Sequence, residues 1–593
     1  MKFLEFAQTL KNLEDTTKRL EITQILKDLI SNLGPEEVDK GVYLSLGLLK
    51  ALYENPKFNM ADKLIIRAIS LYSNISTDEI LQNYKNEGDL GNVIANIRNK
   101  SGSKNLSILQ VWEALFEISS FEGSGSQDKK IQHLANLYSK CTPIENKFIT
   151  RIVLGTTRLG FTETTIIDAL NKFIDGNKES KAIIESKYYV RPDIGLISKK
   201  IKESGIKGLD ELKIETGVPI EPQLAQRANY VEEAIERNSE VIAELKYDGT
   251  RVQLHLDKNK KVQSQVQTLF EESKEIFIKT FTRNLEETTH QFPEIIEASK
   301  KYINATSVIL DGEAVGFNKE TQTFLPFQET IQRKRKHGVL EIAKQIPLRY
   351  FVFDILYLNN KSLLDTPLEE RQKILKDILL ENDTIVPSNS IKTSNPVQLK
   401  GFFEKAKARN IEGIMAKNPN SSYLAGGRGY SWMKIKRLDN NKTNLADSID
   451  VVILGYYFGK GERSNFGIGT FLVGIYDKKE ERFKTISKIG TGLKDNDWEY
   501  LKTKADQIKL SKVPSNVEIP SQFIPDVILE PKIVVEVLCD EISISTQHSC
   551  GFALRFPRLV SFRTDKSETQ TTSPQEIKDI YNLQIKKSQN SQE

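Results

Sequence analysis

The apolar residues change their spacing at a short proline-containing connector, Gly217-Val218-Pro219-Ile220-Glu221-Pro222, and that change limits the fold more than any other feature of the chain. Before it, Leu10, Leu13, Leu20, Ile25, Leu26, Leu29 and Ile30 approximate one helical face, and Val42, Leu46 and Leu49 continue the pattern. After it, strand-like runs take over at Val308–Leu310, Tyr350–Leu358 and Gly413–Ala416. Beyond Asp439-Asn440-Asn441 the chain turns β-rich, with runs at Ile449–Tyr457, Gly469–Tyr476, Arg482–Ile489 and Ile533–Leu538. Glycine-rich turns separate several of them, which suggests a small barrel or sandwich. The expectation is a multidomain chain: an all-α domain over residues 1–215, an α/β (α+β) domain over 216–438, and a β-barrel domain over 439–593 whose polar tail ends in a helix. A chain of 593 residues is also too long for one ordinary core.

Charge and cysteine usage narrow the function class. Lys plus Arg number 84 against 80 Asp plus Glu, a formal net charge of +4, so any surface for nucleic acid must be a local one. Cys141, Cys539 and Cys550 give neither a disulfide framework nor zinc spacing and suit a reducing compartment. The start, Met-Lys-Phe-Leu-Glu-Phe-Ala-Gln, meets charge too early for a signal peptide, and no apolar run reaches membrane-spanning length. The expectation is a soluble, cytoplasmic, intracellular protein with no membrane partner.

The chemistry centres on Glu244-Leu245-Lys246-Tyr247-Asp248-Gly249-Thr250-Arg251. Val241, Ile242 and Ala243 lead in as a strand, and Val252, Leu254 and Leu256 alternate with Gln253 and His255 on the way out. Asp-Gly between such runs predicts a hairpin-type turn that holds Lys246 at a strand end, facing a pocket. A lysine there can act as a covalent nucleophile if the pocket favours its neutral amine. Taken alone, the octapeptide also fits a solvated surface lysine beside a hairpin. Two loops in the helical front, Glu122-Gly123-Ser124-Gly125-Ser126-Gln127-Asp128-Lys129-Lys130 and Gly155-Thr156-Thr157-Arg158-Leu159-Gly160, each lead into a helix-like segment. Free backbone N–H groups beside Lys and Arg make an anion site at such a place, although ordinary connecting loops have the same composition.

Further segments put charged or aromatic residues beside apolar strand-like runs. They are Asp311-Gly312-Glu313, Phe353-Asp354, Glu412-Gly413-Ile414-Met415-Ala416-Lys417, Trp432-x-Lys434-x-Lys436 and Arg555-Phe556-Pro557-Arg558. Buried strands do not tolerate unpaired charges, so these residues either pair or line a polar cleft. Together with Lys246-Tyr247-Asp248-Gly249-x-Arg251 and Thr282-Arg283-Asn284-Leu285-Glu286, they resemble the ordered motif set of ATP-dependent DNA ligases, most of all the archaeal and eukaryotic replicative type. The likeness spans nearly the whole chain, and it implies a DNA-binding front, a nucleotidyltransferase centre and an OB-fold end.

The resemblance implies roles residue by residue. Lys246 is the nucleophile that attacks the α-phosphate of ATP, and Glu244 and Arg251 grip the adenosine and ribose. Phe353 stacks on adenine, while Arg283, Arg428, Lys434 and Lys436 complete the ATP site. Glu313 and Glu412 are hard carboxylates for Mg²⁺, with Mn²⁺ a substitute. Arg555 and Arg558 orient the departing pyrophosphate from a mobile OB domain. Ser124, Ser126 and Arg158 contact DNA phosphates. Lys246-AMP then passes AMP to the 5′-phosphate of a nick, and the 3′-hydroxyl attacks and expels it. ATP as co-substrate and nicked duplex DNA are the implied partners of a monomeric enzyme. A sliding clamp is a further candidate, but Lys100–Trp112 carries no convincing docking motif. His255, His548 and the cysteines receive no role. Residues Lys258–Thr280 are longer than the hairpin usual in the family and carry Glu271, Glu272, Lys274 and Glu275, with no function assigned. An RNA ligase or capping-type nucleotidyltransferase stays open within the enzyme class; a catalytically silent DNA clamp stays open outside it, although Lys246 and both metal carboxylates are retained.

Overall fold

Helical spacing in the front becomes helices in the computed structural model, which describes the chain except for residues 98–104, 229, 262–275, 319–322, 326–329, 331–342, 344, 410, 437–447 and 590–593. The clustered charges expected at 271–275 lie outside the described residues, as does the start of the Lys100–Trp112 stretch. In Arg19–Asn32, Ile22, Leu26, Leu29 and Ile30 are buried at helical spacing. Leu20, expected on that face, is 83% exposed. It sits two residues before Ile22, on the far side of the first turn. The chain packs into two compact units, one of Met1–Asn59, Ser103–His133 and Arg151–Asp439, the other of Met60–Gly102, Leu134–Thr150 and Asn440–Glu593. Among the described residues no helix is long and apolar enough to cross a membrane.

The first unit carries two sheets. In chain order the strands are β1 Leu224–Arg227, β2 Val241–Lys246, β3 Thr250–Lys261, β4 Ile276–Thr282, β5 Ser307–Asn318, β6 Thr323–Phe324, β7 Leu348–Leu358, β8 Lys361–Ser362, β9 Ile385–Pro387, β10 Ser390–Thr393, β11 Gly413–Lys417 and β12 Arg428–Lys436. One sheet runs β1-β12-β11-β2-β10; the other runs β4-β3-β5-β7-β8, with β6 beside β5 and β9 beside β7. The expected hairpin between β2 and β3 does not form. β2 pairs with β10 and β11, and β3 pairs with β4 and β5, so the Asp-Gly turn carries the chain from one sheet to the other. Two packing contacts decide this. Tyr247 stacks on Phe351 of the second sheet at 3.9 Å, and a Cβ on Gly249 would lie 2.4 Å from the Ala314 carbonyl oxygen.

Period-two alternation gives β3 two working faces. Val252, Leu254 and Leu256 join the outer core against the helices Pro293–Tyr302 and Leu368–Ile378. The polar face is covered by the proline-containing connector. Gln253 accepts from the Ile220 amide at 2.8 Å and donates to its carbonyl at 2.9 Å. His255 accepts the Gly217 N–H at Nδ1 (3.0 Å), while its Nε2 lies 2.9 Å from Gln253 Oε1. A neutral ring protonated on Nε2 satisfies both contacts. Burial, helped by Lys260 and Lys279, pushes its pKa down to about 3 from 6.5. The unfolded chain thus takes up a proton that the folded chain refuses, so the stability is intact above pH 6.5 and is lost as pH falls toward 3. Between pH 7 and pH 5 the loss is about 2 kcal/mol. Urea unfolding of His255→Gln is expected to vary less with pH over that range; an unchanged pH slope contradicts the assignment.

The second unit is built on a half-barrel sheet. Its long strand Ile449–Tyr457 pairs with Thr470–Asp477 on one edge and with Val527–Leu529 and Val534–Leu538 on the other. Arg482–Ile489 extends the sheet, and the helix Pro574–Gln589 closes the chain. The expected β-rich end is therefore present, with strand bounds within a residue of those read from the sequence. Two front helices, Asp62–Ser73 and Thr77–Glu87, belong to this unit. Lys460 binds Asp62 at 2.8 Å and lies over the Tyr84 ring, whose hydroxyl also donates to Asp62 at 2.9 Å.

Candidate active site

A cavity of about 510 Å³ opens between the two sheets of the first unit. Glu244, Lys246, Arg251, Arg283, Glu313, Phe353, Arg428 and Lys434 all line it, with Asn284, Glu286, Lys417 and Trp432. Strand alternation explains the grouping: Glu244 and Lys246 are two apart on β2, as are Trp432 and Lys434 on β12, while Asp311, two before Glu313 on β5, lies buried behind the lining against Arg251. Gly312, between two of them, could hold no side chain, since a Cβ would meet Tyr350 at 2.5 Å.

Lys246 ends β2 opposite Gly413, and its Nζ is ion-paired with Glu412. Glu313 faces Arg251 across β3 and β5. Burial pushes the Glu313 carboxyl up to about 7; Lys246 and Arg251 pull against that, and the charges of Glu412 and Asp311 add to it. Arg251 is forked onto Asp311, Nε at 3.0 Å and Nη2 at 2.5 Å. Burial opposes the guanidinium charge, but Asp311 and its neighbours outweigh burial and raise the pKa. The Glu244 carboxylate is fixed by Lys417 at 2.7 Å and Gln372 at 2.6 Å. Burial drives its pKa up, and Lys417 opposes that. Phe353 is half-buried, with Trp432 edge-on at 6.0 Å and the Lys417 ammonium 4.6 Å from its ring.

The remaining sequence candidates lie elsewhere. Lys436 pairs through its backbone with Gly413, and its side chain lies outside the described residues. Arg555 and Arg558 belong to the second unit, where they bind Glu541 at 3.2 Å and Asp540 at 2.8 Å. Ser124 is exposed in a turn whose flanking glycines have φ of 80° and 76°, and Ser126 begins the helix Ser126–Tyr138. Arg158 has φ of 59° ahead of the helix Glu163–Ile174. Among the described residues, Ser124, Ser126 and Arg158 do not line the cavity. Sequence reasoning missed Tyr423, Gln372 and Arg371, which carry no motif signal. It left Asp311 and Lys417 without roles although both lie in the quoted segments.

Glu313 and Glu412 fit a divalent cation. They are hard oxygen donors that repel each other, and phosphate oxygens would complete their coordination. Among the described residues no group of three or more His, Cys, Asp or Glu forms a metal cluster.

The family model for the DNA ligase N terminus matches residues 2–171, the ATP dependent DNA ligase domain matches 222–436, and the ATP dependent DNA ligase C terminal region matches 464–566. The "Probable DNA ligase" of Dictyoglomus turgidum is 39% identical over 99% of this chain and 98% of its own length. The "DNA ligase 2" of Korarchaeum cryptofilum is 36% identical over 99% and 98%, and the "DNA ligase" of Saccharolobus solfataricus 34% over 99% and 98%. A solved structure, Pmar-Lig_PreS3, shares the fold with a TM-score of 0.53 at 16% identity, covering 94% of this chain and 99% of that one. With three domain models matched in order and relatives aligned over its whole length, the chain belongs to the ATP-dependent DNA ligases.

Proposed function

We propose that this ligase seals nicks through an AMP adduct on Lys246, in DNA replication, repair and recombination. The observation that carries the assignment is Lys246 at the end of β2, ion-paired with Glu412 and lining a cavity that also presents Glu313, Arg251 and Phe353. Before it can attack, the Lys246 ammonium must lose a proton, and the Glu412 carboxylate is already its hydrogen-bonded acceptor. Nζ then forms a P–N bond to the α-phosphorus of ATP as the bond to pyrophosphate breaks. Arg283, Arg428 and Lys434 bind phosphate charge, Phe353 stacks on adenine, and Glu244 and Arg251 hold adenosine. Lys436 adds a further positive charge, and Arg555 and Arg558 act on pyrophosphate from the second unit. Mg²⁺, or Mn²⁺ in its place, would be held by Glu313 and Glu412 and would neutralise charge on the phosphates. In the second step the 5′-phosphate of the nick displaces Lys246 from AMP; in the third the 3′-hydroxyl displaces AMP. Ser124, Ser126 and Arg158 bind duplex phosphates on the two sides of the break. The domains 1–215, 216–438 and 439–593 serve DNA binding, nucleotidyl transfer and closure. We place the enzyme in the cytoplasm, on the nucleoid, as a monomer; a sliding clamp is a candidate partner.

Glu412→Gln keeps the side-chain volume and removes the proton acceptor. Adenylation of Lys246 by α-labelled ATP is expected to slow about 10²- to 10⁴-fold. Labelling at the parental rate would mean that Glu412 neither accepts the proton nor holds the cation.

A further inference from the structure

Tyr423 stands outside the reaction as described, yet its hydroxyl ties three parts of the site together. It donates to Asp311 Oδ2 at 2.8 Å and accepts from the Gln223 amide at 3.0 Å and from Arg251 Nη2 at 3.2 Å. One donor and two acceptor positions are all that a phenol offers, so the group is saturated. Its ring is buried, edge-on to Trp432 at 5.8 Å.

The hydrogens of Arg251 can be followed in the same way. Nε and one Nη2 hydrogen go to Asp311, the other Nη2 hydrogen goes to Tyr423, and one Nη1 hydrogen goes to the Gln223 carbonyl at 3.1 Å. Of the five donors of a guanidinium, a single Nη1 hydrogen is left for the cavity among the described residues. Its direction depends on how the fork is held. Asp311 fixes one edge from β5 in the second sheet. Tyr423 fixes the adjoining corner from the loop between β11 and β12 of the first sheet, and that loop is itself pinned by the Leu424 amide on Gln223 Oε1 at 2.8 Å.

We propose that Tyr423 is a positioning residue that aims the remaining Nη1 hydrogen of Arg251 at the ribose, and so sets the preference for ribonucleotide over deoxyribonucleotide. This rests on the reading that Arg251 grips the ribose of ATP. Without the hydroxyl, Arg251 Nη2, the Gln223 amide and Asp311 each lose a partner in a site where the other contacts are already committed. The fork then tilts toward whichever contact remains.

Tyr423→Phe removes one oxygen and keeps the ring. In self-adenylation it is expected to lose about tenfold in kcat/KM for ATP, chiefly through KM, and its preference for ATP over 2′-deoxyATP is expected to shrink by a similar factor. The thermal midpoint is expected to fall modestly, because three buried groups lose a partner, while the affinity for nicked DNA should stay at the parental value. Ser431→Ala, which deprives Gln223 Nε2 of its partner at 3.3 Å but spares the hydroxyl, should keep the parental nucleotide ratio. If the phenylalanine variant does not fold, Asp311→Asn disturbs the same network at the other end and should show the same narrowed ratio. A labelled parent with an unchanged ATP-to-2′-deoxyATP ratio in the variant overturns the role of Tyr423 alone. A parent that takes no label from ATP overturns the nucleotidyl-transfer reading and this proposal with it.

Discussion

Lys246→Ala is expected to reduce sealing of an ordinary nick by at least about 10³-fold while still closing a nick whose 5′-phosphate already carries AMP. The split follows from which bonds involve Nζ. Without it no P–N bond can form at this position, and Lys417, which also lines the cavity, is 1% exposed and committed to Glu244. The third step needs only the 3′-hydroxyl, the activated phosphate and the charges that stabilise the leaving AMP, all of which the variant keeps. Gel assays on plain and pre-adenylated nicks, run side by side, separate the outcomes. Parental sealing of the plain nick would remove Lys246 from the mechanism. Equal loss on both substrates would show a damaged site rather than a missing nucleophile.

Arg371→Leu is expected to destabilise the first unit by about 3–5 kcal/mol, a large fraction of an ordinary domain's stability. Arg371 and Asp354 are both fully buried, joined at 2.7 Å and 2.9 Å. The guanidinium also donates to the carbonyls of Thr366 and Ser421, the latter at 3.2 Å, so it holds the loop that leads to Tyr423. Truncating it strands a carboxylate with no solvent and no counter-charge, next to Phe353 on β7. Unfolding followed by tryptophan fluorescence in urea reads the loss. The double change Arg371→Leu with Asp354→Leu should recover part of it, because the stranded charge goes too. A single variant as stable as the parent would mean that water reaches Asp354.

How much of this the residues disclose depends on the range of the interaction. Arg482–Ile489 is legible because its apolar and polar positions partly alternate, and Ile449–Tyr457 because an almost continuous apolar run of strand length reads as a fully buried strand. The cavity residues are legible through their order along the chain and through alternation, which puts Glu244 beside Lys246 and Trp432 beside Lys434. The hairpin expectation fails because an Asp-Gly turn reports only its own backbone. Which sheet β3 joins is decided by Tyr247 on Phe351 and by Gly249 against Ala314, more than sixty residues away in sequence. The buried polar face of β3, with Gln253 and His255, likewise acquires its meaning only when the connector covers it. Tyr423 gave no signal, since a lone tyrosine in a loop says nothing of the three groups that converge on its oxygen. Nor could spacing reveal that the helices Asp62–Ser73 and Thr77–Glu87 pack with the β-rich end, because every front helix shows the same period.

The most direct test of the central claim is to incubate the purified chain, first stripped of AMP with pyrophosphate, with ATP and Mg²⁺ in the absence of DNA, and then to map the adduct by peptide mass spectrometry. The account predicts one acid-labile AMP group on the peptide that contains Lys246, discharged when a nicked duplex is added. An AMP group on another lysine, or a chain that takes up none, would contradict it.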